Sequence, residues 1–128
     1  MEIVVKILLD TNAVLYYLAD NLISNISADF VISFITEIEL LAYPNLSKNE
    51  ENIIKTFLNL VEIVDINNSI KKLTIDLRKS FHLKIPDAII CATALYLKIP
   101  LVTNDRQILK IKDCPTMTYE MFKERYTI

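Results

Sequence analysis

The chain has 128 residues, of which 52% are hydrophobic, and this composition excludes a disordered or solvating chain. Its net charge of −2 excludes a polycation that binds nucleic acid through bulk charge, although a local basic strip remains compatible with it. Glycine is absent, which excludes the glycine-rich phosphate loops and the nucleophile elbow. The length predicts one domain over residues 1–128.

Neither a membrane span nor an export signal is indicated. The longest stretch without charged side chains, 88–97, has ten residues, whereas a membrane span needs about 20. Lys6 and Asp10 interrupt the apolar N-terminus, which therefore does not match a signal peptide. Cys91 and Cys114 form no CxxC motif, and we expect a cytoplasmic protein in which both are reduced packing residues.

Apolar runs typical of buried strands alternate with segments of helical periodicity. The predicted strands are 3–9, 30–33, 62–66, 101–103 and a short one near Met117. The predicted helices are 13–20, 35–43, a helix to residue 60 opened by a Ser47–Glu50 capping box, 69–82, 86–98 and 119–126. This alternation predicts a three-layer α/β/α sandwich with a mostly parallel central sheet, which binds ligands beyond the carboxyl ends of its strands.

Three aspartates fall at that predicted edge. Asp10 follows the first strand, Asp105 follows the 101–103 strand, and Asp87 lies in the first turn of the apolar helix between them. Each also has a purely structural interpretation, because Asp is a good helix N-cap and complements a helix dipole.

Glu39 is less easily explained by helix structure. In the helix 35–43 it lies at the edge of an apolar arc formed by Ile35, Ile38 and Ala42. We therefore expect a partly desolvated carboxylate, which is costly without a partner. The basic residues nearest in sequence are well separated from it, and a metal ion would supply the partner.

Four acids converging on one edge would raise each other's pKa values unless a cation is bound. All-oxygen ligands select Mg²⁺ or Mn²⁺, and such a site suits hydrolysis of a phosphodiester bond. With His82 as the single histidine, no Ser–His–Asp set can be assembled.

Four segments, in order and in strand–helix context, resemble the signature motifs of the PIN-domain ribonucleases, and most closely those of VapC-like toxins. They are Leu8-Leu-Asp10-Thr-Asn12, Ser33-Phe-Ile-Thr36-Glu-Ile-Glu39-Leu, Pro86-Asp87-Ala-Ile-Ile-Cys-Ala-Thr-Ala-Leu95 and Leu101-Val-Thr-Asn-Asp105-Arg106. The chain departs from many relatives where they have glycine, at 42–44 and 112–114, and where they have an acid and Phe, at Gln107 and Ile108. These departures concern loop shape and substrate choice.

The resemblance implies a magnesium-dependent endoribonuclease that acts as the toxin of a toxin–antitoxin pair. It implies an RNA substrate, a homodimer and an antitoxin protein that occludes the cleft. It also implies metal-binding or catalytic roles for four acids and supporting hydrogen bonds from two further residues: Asp10, Glu39, Asp87 and Asp105, with Asn12 and Thr103.

Two further features have open interpretations. One is a cationic cluster, which could bind along an RNA backbone or could simply be the solvated face of a helix. Its members are Lys71, Lys72, Arg78, Lys79, His82 and Lys84. Four tyrosines could stack bases or belong to the core or a dimer contact: Tyr16, Tyr17, Tyr96 and Tyr126.

Rival functions are a non-toxin PIN nuclease in RNA processing and a non-catalytic PIN-like module that binds RNA or protein. A response-regulator receiver needs an aspartate that accepts a phosphoryl group at the end of its third strand, and Asp65 is the only candidate. It also needs an early acidic pair and a lysine after the fifth strand, and neither is found in the sequence. A haloacid-dehalogenase phosphatase needs Asp-x-Asp after the first strand, where this chain has Asn12 as the third residue.

Overall fold

The computed structural model describes residues 4–20 and 25–128, which form a five-stranded, fully parallel sheet of order β3-β2-β1-β4-β5. The strands are β1 (Lys6–Leu9), β2 (Asp29–Ser33), β3 (Glu62–Val64), β4 (Leu101–Val102) and β5 (Thr116–Met117). The chain moves from β1 to one side of the sheet and returns to the other, so a topological switch point lies between β1 and β4.

Helices cover both faces of this sheet. They are α1 (Thr11–Ala19), α2 (Phe34–Leu41), α3 (Lys48–Leu60), α4 (Asn68–Phe81), α5 (Ile85–Leu97), α6 (Arg106–Leu109) and α7 (Tyr119–Tyr126). No helix in the described part of the chain is long and apolar enough to cross a membrane.

The core has two parts, one on each side of the sheet. Side chains alternate along a strand, and in β1 Leu8 packs with α4 and α5, while Ile7 and Leu9 pack with α1, α3 and α7. Cys91 and Cys114 are free thiols within the first of these clusters. The predicted α/β/α sandwich with a parallel sheet is therefore confirmed.

Predicted element ends differ from the observed ones by a few residues. Val4 and Val5 are exposed and precede β1, and β3 stops before 65–66, so the strand predictions were too long at both places. Residue 3 of the first predicted strand lies outside the described residues. The Ser47–Glu50 capping box is present, and α2 ends at Leu41, before Pro44.

Within residues 4–20 and 25–128, three residues adopt left-handed backbone angles. Asn45 has φ 62°, His82 has φ 56° and Lys98 has φ 57°. His82 and Lys98 end α4 and α5, positions where glycine is usual. In a chain without glycine, side-chain-bearing residues make these turns instead.

Candidate active site

Asp10 and Asp105 lie at the carboxyl ends of adjacent strands, on the switch point of the sheet. β1 and β4 pair through Leu9 and Val102, and the backbone N–H of Asp10 donates to the carbonyl of Val102 at 3.2 Å. Parallel pairing thus brings together two aspartates that are 95 residues apart in sequence.

Both aspartates are helix N-caps, as the structural interpretation predicted, but each uses one oxygen for this purpose. Oδ1 of Asp10 accepts from the N–H of Ala13 at 2.8 Å. Oδ1 of Asp105 accepts from Gln107 at 2.8 Å and from Ile108 at 3.2 Å. The cap fixes the carboxylate, and Oδ2 of each residue stays outside it. Capping and ligand binding are therefore compatible.

Thr103 lies fully buried between these two aspartates. Its hydroxyl accepts a hydrogen bond from the N–H of Asp105 at 3.0 Å. Its contact with Asp10 stabilises the charged carboxylate and lowers the pKa of Asp10. One hydroxyl thus links the two strand ends.

The pKa of Asp10 is nevertheless raised. Burial is the largest cause, and the charges of Asp87 and Asp105 add to it, which outweighs the opposing contacts of Thr103 and Ala13. Ionised Asp10 is therefore destabilised in the metal-free protein.

Asp87 occupies the first turn of α5, and its pKa is raised as well. Burial is again the largest cause, followed by the charges of Asp105 and Glu39, whereas Lys84 lowers the pKa. Asp87 is thus close enough to Asp10, Asp105 and Glu39 for their charges to repel, as expected for a cation site.

Glu39 corrects one detail of the sequence prediction. The buried residues of α2 are Thr36 and Leu40, whereas Ile38 is 55% exposed and the carboxylate of Glu39 is also exposed. The predicted partial desolvation of Glu39 at the edge of an apolar arc was therefore wrong. With five apolar residues among eight, α2 has no distinct apolar face in its sequence.

A hydroxyl, and not burial, positions Glu39. Thr11 Oγ1 donates to Glu39 Oε1 at 2.6 Å and lies 3.1 Å from Thr36 Oγ1. A hydroxyl has one proton, so Thr36 is the donor in the second bond. This chain of hydrogen bonds connects the first residue of α1 to α2.

The four acids line one cavity of about 490 Å³, which also includes Asn12 and Asn104. Asn12 is exposed in its wall, and Thr103 lies buried beneath it. An adjoining cavity of about 360 Å³ is mostly aliphatic and shares Leu15 and Tyr43 with the first.

The donor set fits a hydrated Mg²⁺ ion. Across residues 4–20 and 25–128, no three acidic, thiol or imidazole side chains are grouped tightly enough to bind one ion together. Mg²⁺ usually keeps several water molecules and takes only one or two protein carboxylates directly. The all-oxygen set and its unrelieved repulsion match that mode of binding.

The other predicted candidates divide by exposure. All six members of the cationic cluster are exposed, as both of its interpretations require. Tyr17 is buried, which excludes base stacking by it, and Tyr126 is half-buried and packs against the core. Tyr16 and Tyr96 are exposed, and of these two Tyr16 lines the cavity.

Sequence reasoning missed several residues of the cavity. Thr11 could have been noticed because it stands between Asp10 and Asn12. Tyr16 is one of the four tyrosines that could stack bases, but its place in the cavity wall was not predicted. It is four residues after Asn12, which places both on one face of α1. Nothing in the sequence indicates that Tyr43 or Asn104 lines the cavity.

The family model for the PIN domain matches residues 7–113. No curated protein matches the sequence of this chain. A solved toxin–antitoxin complex from Klebsiella pneumoniae includes a chain with 26% identity and a TM-score of 0.71, and the match covers 88% of this chain and 96% of that one.

Two VapBC structures have the same fold. The DNA-bound complex from Salmonella typhimurium gives 21% identity and a TM-score of 0.75, covering 90% of this chain and 98% of that chain. VapBC-1 from nontypeable Haemophilus influenzae gives 20% identity and a TM-score of 0.72 over the same shares. The family model spans most of the sequence and the folds agree, so the predicted resemblance is confirmed and the chain belongs to the PIN domain family.

Proposed function

We propose that this protein is a metal-dependent endoribonuclease that hydrolyses RNA phosphodiester bonds at the acidic cavity. The observation that carries the proposal is the convergence of Asp10, Glu39, Asp87 and Asp105 on one cavity, with raised pKa values at Asp10 and Asp87. Structural ion pairs would give carboxylates nearby cations, whereas Lys84 is the one cation that counters the raised pKa of Asp87. Carboxylates that lack nearby cations favour the binding of a divalent ion in such a cavity.

Three of the four acids, Asp10, Asp105 and Glu39, are held by hydrogen bonds in orientations suited to this role. The caps of Asp10 and Asp105 fix their carboxylates and leave Oδ2 of each for a metal ion or its water. Glu39 uses Oε1 to bind Thr11, which leaves Oε2 to accept a proton from water. A bound Mg²⁺ would supply a more acidic water and stabilise the leaving oxygen. Asn12 offers an amide that can orient the phosphate.

Cleavage of a single-stranded RNA tests this proposal. We expect Mg²⁺ or Mn²⁺ to support cleavage, EDTA to abolish it, and Asp10→Asn to be inactive. Asp29→Asn is the matched control, because Asp29 begins β2 at the opposite edge of the sheet and is exposed. Cleavage that persists in EDTA, or in folded Asp10→Asn protein, contradicts the proposal. RNA binding without cleavage by the wild type favours the non-catalytic module.

We further propose that the protein is the toxin of a toxin–antitoxin pair. The 26% identical chain belongs to a structure described as a toxin–antitoxin complex, which supports this role. The cavities also suit an inhibitor with two parts. An arginine would pair with the carboxylates, and an apolar stretch would fill the aliphatic cavity formed by α1, α3 and the loop between α2 and α3.

Expression in a host cell distinguishes toxin from housekeeping nuclease. We expect growth arrest when the protein is expressed alone and recovery when the protein encoded by the neighbouring gene is co-expressed. Ile53→Glu, which places a charge in the aliphatic cavity, should weaken the rescue while leaving cleavage intact. Harmless expression of a protein that cleaves RNA in vitro favours a PIN nuclease in RNA processing. The homodimer stays a prediction, which sedimentation velocity would test.

A further inference from the structure

Tyr16 forms part of the wall between two cavities. It lines the acidic cavity, and with Asn104 it also lines a neighbouring cavity of about 280 Å³ that Asp20, Tyr119 and Lys123 help to enclose. Its side chain is 44% exposed. A large aromatic ring therefore faces solvent beside the carboxylates, where core packing does not account for it.

Tyr119 holds this ring in place. The two ring centroids are 5.5 Å apart, with the planes inclined by 58°. Tyr119 is itself fixed, because its hydroxyl donates to Asp20 Oδ2 at 2.8 Å and its N–H donates to Asn104 Oδ1 at 3.0 Å. Lys123 Nζ lies 5.7 Å from the centroid of the Tyr119 ring. Tyr16 is thus a supported aromatic face with little freedom to lose on binding.

Polar groups surround this aromatic face. The bond from Tyr119 occupies Asn104 Oδ1, which orients the side chain and leaves the two N–H donors of its amide for a ligand. Lys123 pairs with Asp20 at 3.3 Å on the far side of the cavity. A nucleobase offers a flat face to Tyr16 and hydrogen-bonding edges to these groups, whereas an aliphatic side chain would leave the edges unmatched.

We propose that Tyr16 is the stacking face of a nucleobase subsite beside the acidic cavity, with Asn104 as a donor to the edge of the base. This inference rests on the proposed ribonuclease function. A strand whose phosphodiester bond lies at the carboxylates would place an adjacent base on Tyr16, because Tyr16 and Asp10 line the same cavity. Recognition through stacking requires an unpaired base, so the substrate is single-stranded at this position.

Binding of a fluorescein-labelled single-stranded RNA to Asp10→Asn protein, with Mg²⁺ present, tests the proposal without cleavage. Loss of one base–aromatic stack corresponds to about a five-fold or larger loss of affinity, which we expect for Tyr16→Ala. Tyr16→Phe and Tyr16→Trp should retain binding, since both keep an aromatic face. Binding of a fully paired RNA duplex should not respond to any of these changes. In the active protein, Tyr16→Ala should raise KM more than it lowers kcat.

Tyr96→Ala is the matched control, because Tyr96 on α5 has the same 44% exposure. Equal affinities of Tyr16→Ala and its parent for single-stranded RNA would overturn the subsite, and so would an equal loss in Tyr96→Ala. If wild-type protein cleaves RNA while Tyr16→Ala binds normally, this inference fails and the ribonuclease proposal stands. If no variant binds RNA and the wild type does not cleave it, both fail. A change in self-association alone would identify Tyr16 as a protein contact and overturn the subsite.

Discussion

Thr11 and Glu39 are joined by a 2.6 Å hydrogen bond between a hydroxyl and an exposed carboxylate. Thr11 is the first residue of α1, directly after the capping Asp10, whereas Glu39 lies in the second turn of α2. The bond therefore ties the start of α1, directly after Asp10, to the helix that carries Glu39. Thr36, buried below, supports Thr11 from the other side.

Glu39→Gln tests whether this carboxylate is needed for reaction or for folding. We expect cleavage to be lost and the free energy of unfolding to change by no more than about 0.5 kcal/mol, because Glu39 is exposed. Cleavage assays and urea denaturation of the same preparation measure both quantities. Glu37→Gln, two residues earlier in α2, is the control. If Glu39→Gln cleaves RNA at the wild-type rate, Glu39 is a surface residue with no role in the reaction.

The pKa of Asp10 predicts how stability depends on pH. Because that pKa is raised above 3.8, the folded protein binds this proton more tightly than the unfolded chain does. Its favourable contribution is complete below about pH 4 and is lost as the pH rises through the raised pKa. In EDTA at neutral pH, Asp10→Asn should therefore be more stable than wild type, and Asn caps α1 equally well.

Urea denaturation of both proteins at several pH values measures this difference. It should shrink as the pH is lowered and vanish once Asp10 is protonated in both states. Asp29→Asn serves again as the control, since Asp29 is exposed and does not line the acidic cavity. A stability difference that is the same at all pH values would show that repulsion among the acids is not its cause.

Metal binding should relieve the repulsion among the carboxylates of the acidic cavity and so stabilise the folded protein. Mg²⁺ or Mn²⁺ at 100 times its dissociation constant should stabilise the wild type by about 2.7 kcal/mol, because the site exists only in the folded state. Thermal unfolding with and without the ion measures the gain. Asp10→Asn and Asp87→Asn should lose most of it. If both respond as strongly as wild type, the ion binds elsewhere.

Thr103 can be tested separately from the acids that it connects. Thr103→Val keeps the shape of the side chain but leaves the N–H of Asp105 without its acceptor, at a cost of about 1 to 3 kcal/mol. It also removes a contact that lowers the pKa of Asp10, so that pKa should rise further. Thr103→Ser retains the hydroxyl and should retain stability and cleavage. Equal behaviour of the Val and Ser variants would contradict a role for the hydroxyl.

The acids at strand ends were predictable because parallel strands bring their carboxyl ends to one edge. Asp10 and Asp105 needed no more than the recognition of two buried strands, and Asp87 followed from the apolar helix between them. The three-layer fold follows from the same alternation of strands and helices.

Glu39 shows where this reasoning fails. A helical wheel assumes that apolar residues mark the buried side, yet α2 buries Thr36 and exposes Ile38. The partner that satisfies Thr36 is Thr11, which is 25 residues away in sequence, and no local pattern encodes that contact. The tyrosines were ambiguous for a similar reason, since exposure of Tyr16 and burial of Tyr17 depend on how α1 is rotated against the sheet.

The left-handed ends of α4 and α5 also have a consequence for the unfolded chain. Holding His82 or Lys98 in that conformation costs roughly 1 to 2 kcal/mol each in the folded protein, which glycine would avoid. Glycine, however, loses more backbone entropy on folding than any other residue. A chain with no glycine starts from a stiffer unfolded ensemble and has less disorder to give up. Local strain at two helix ends is thus set against a smaller entropic cost of folding along the whole chain.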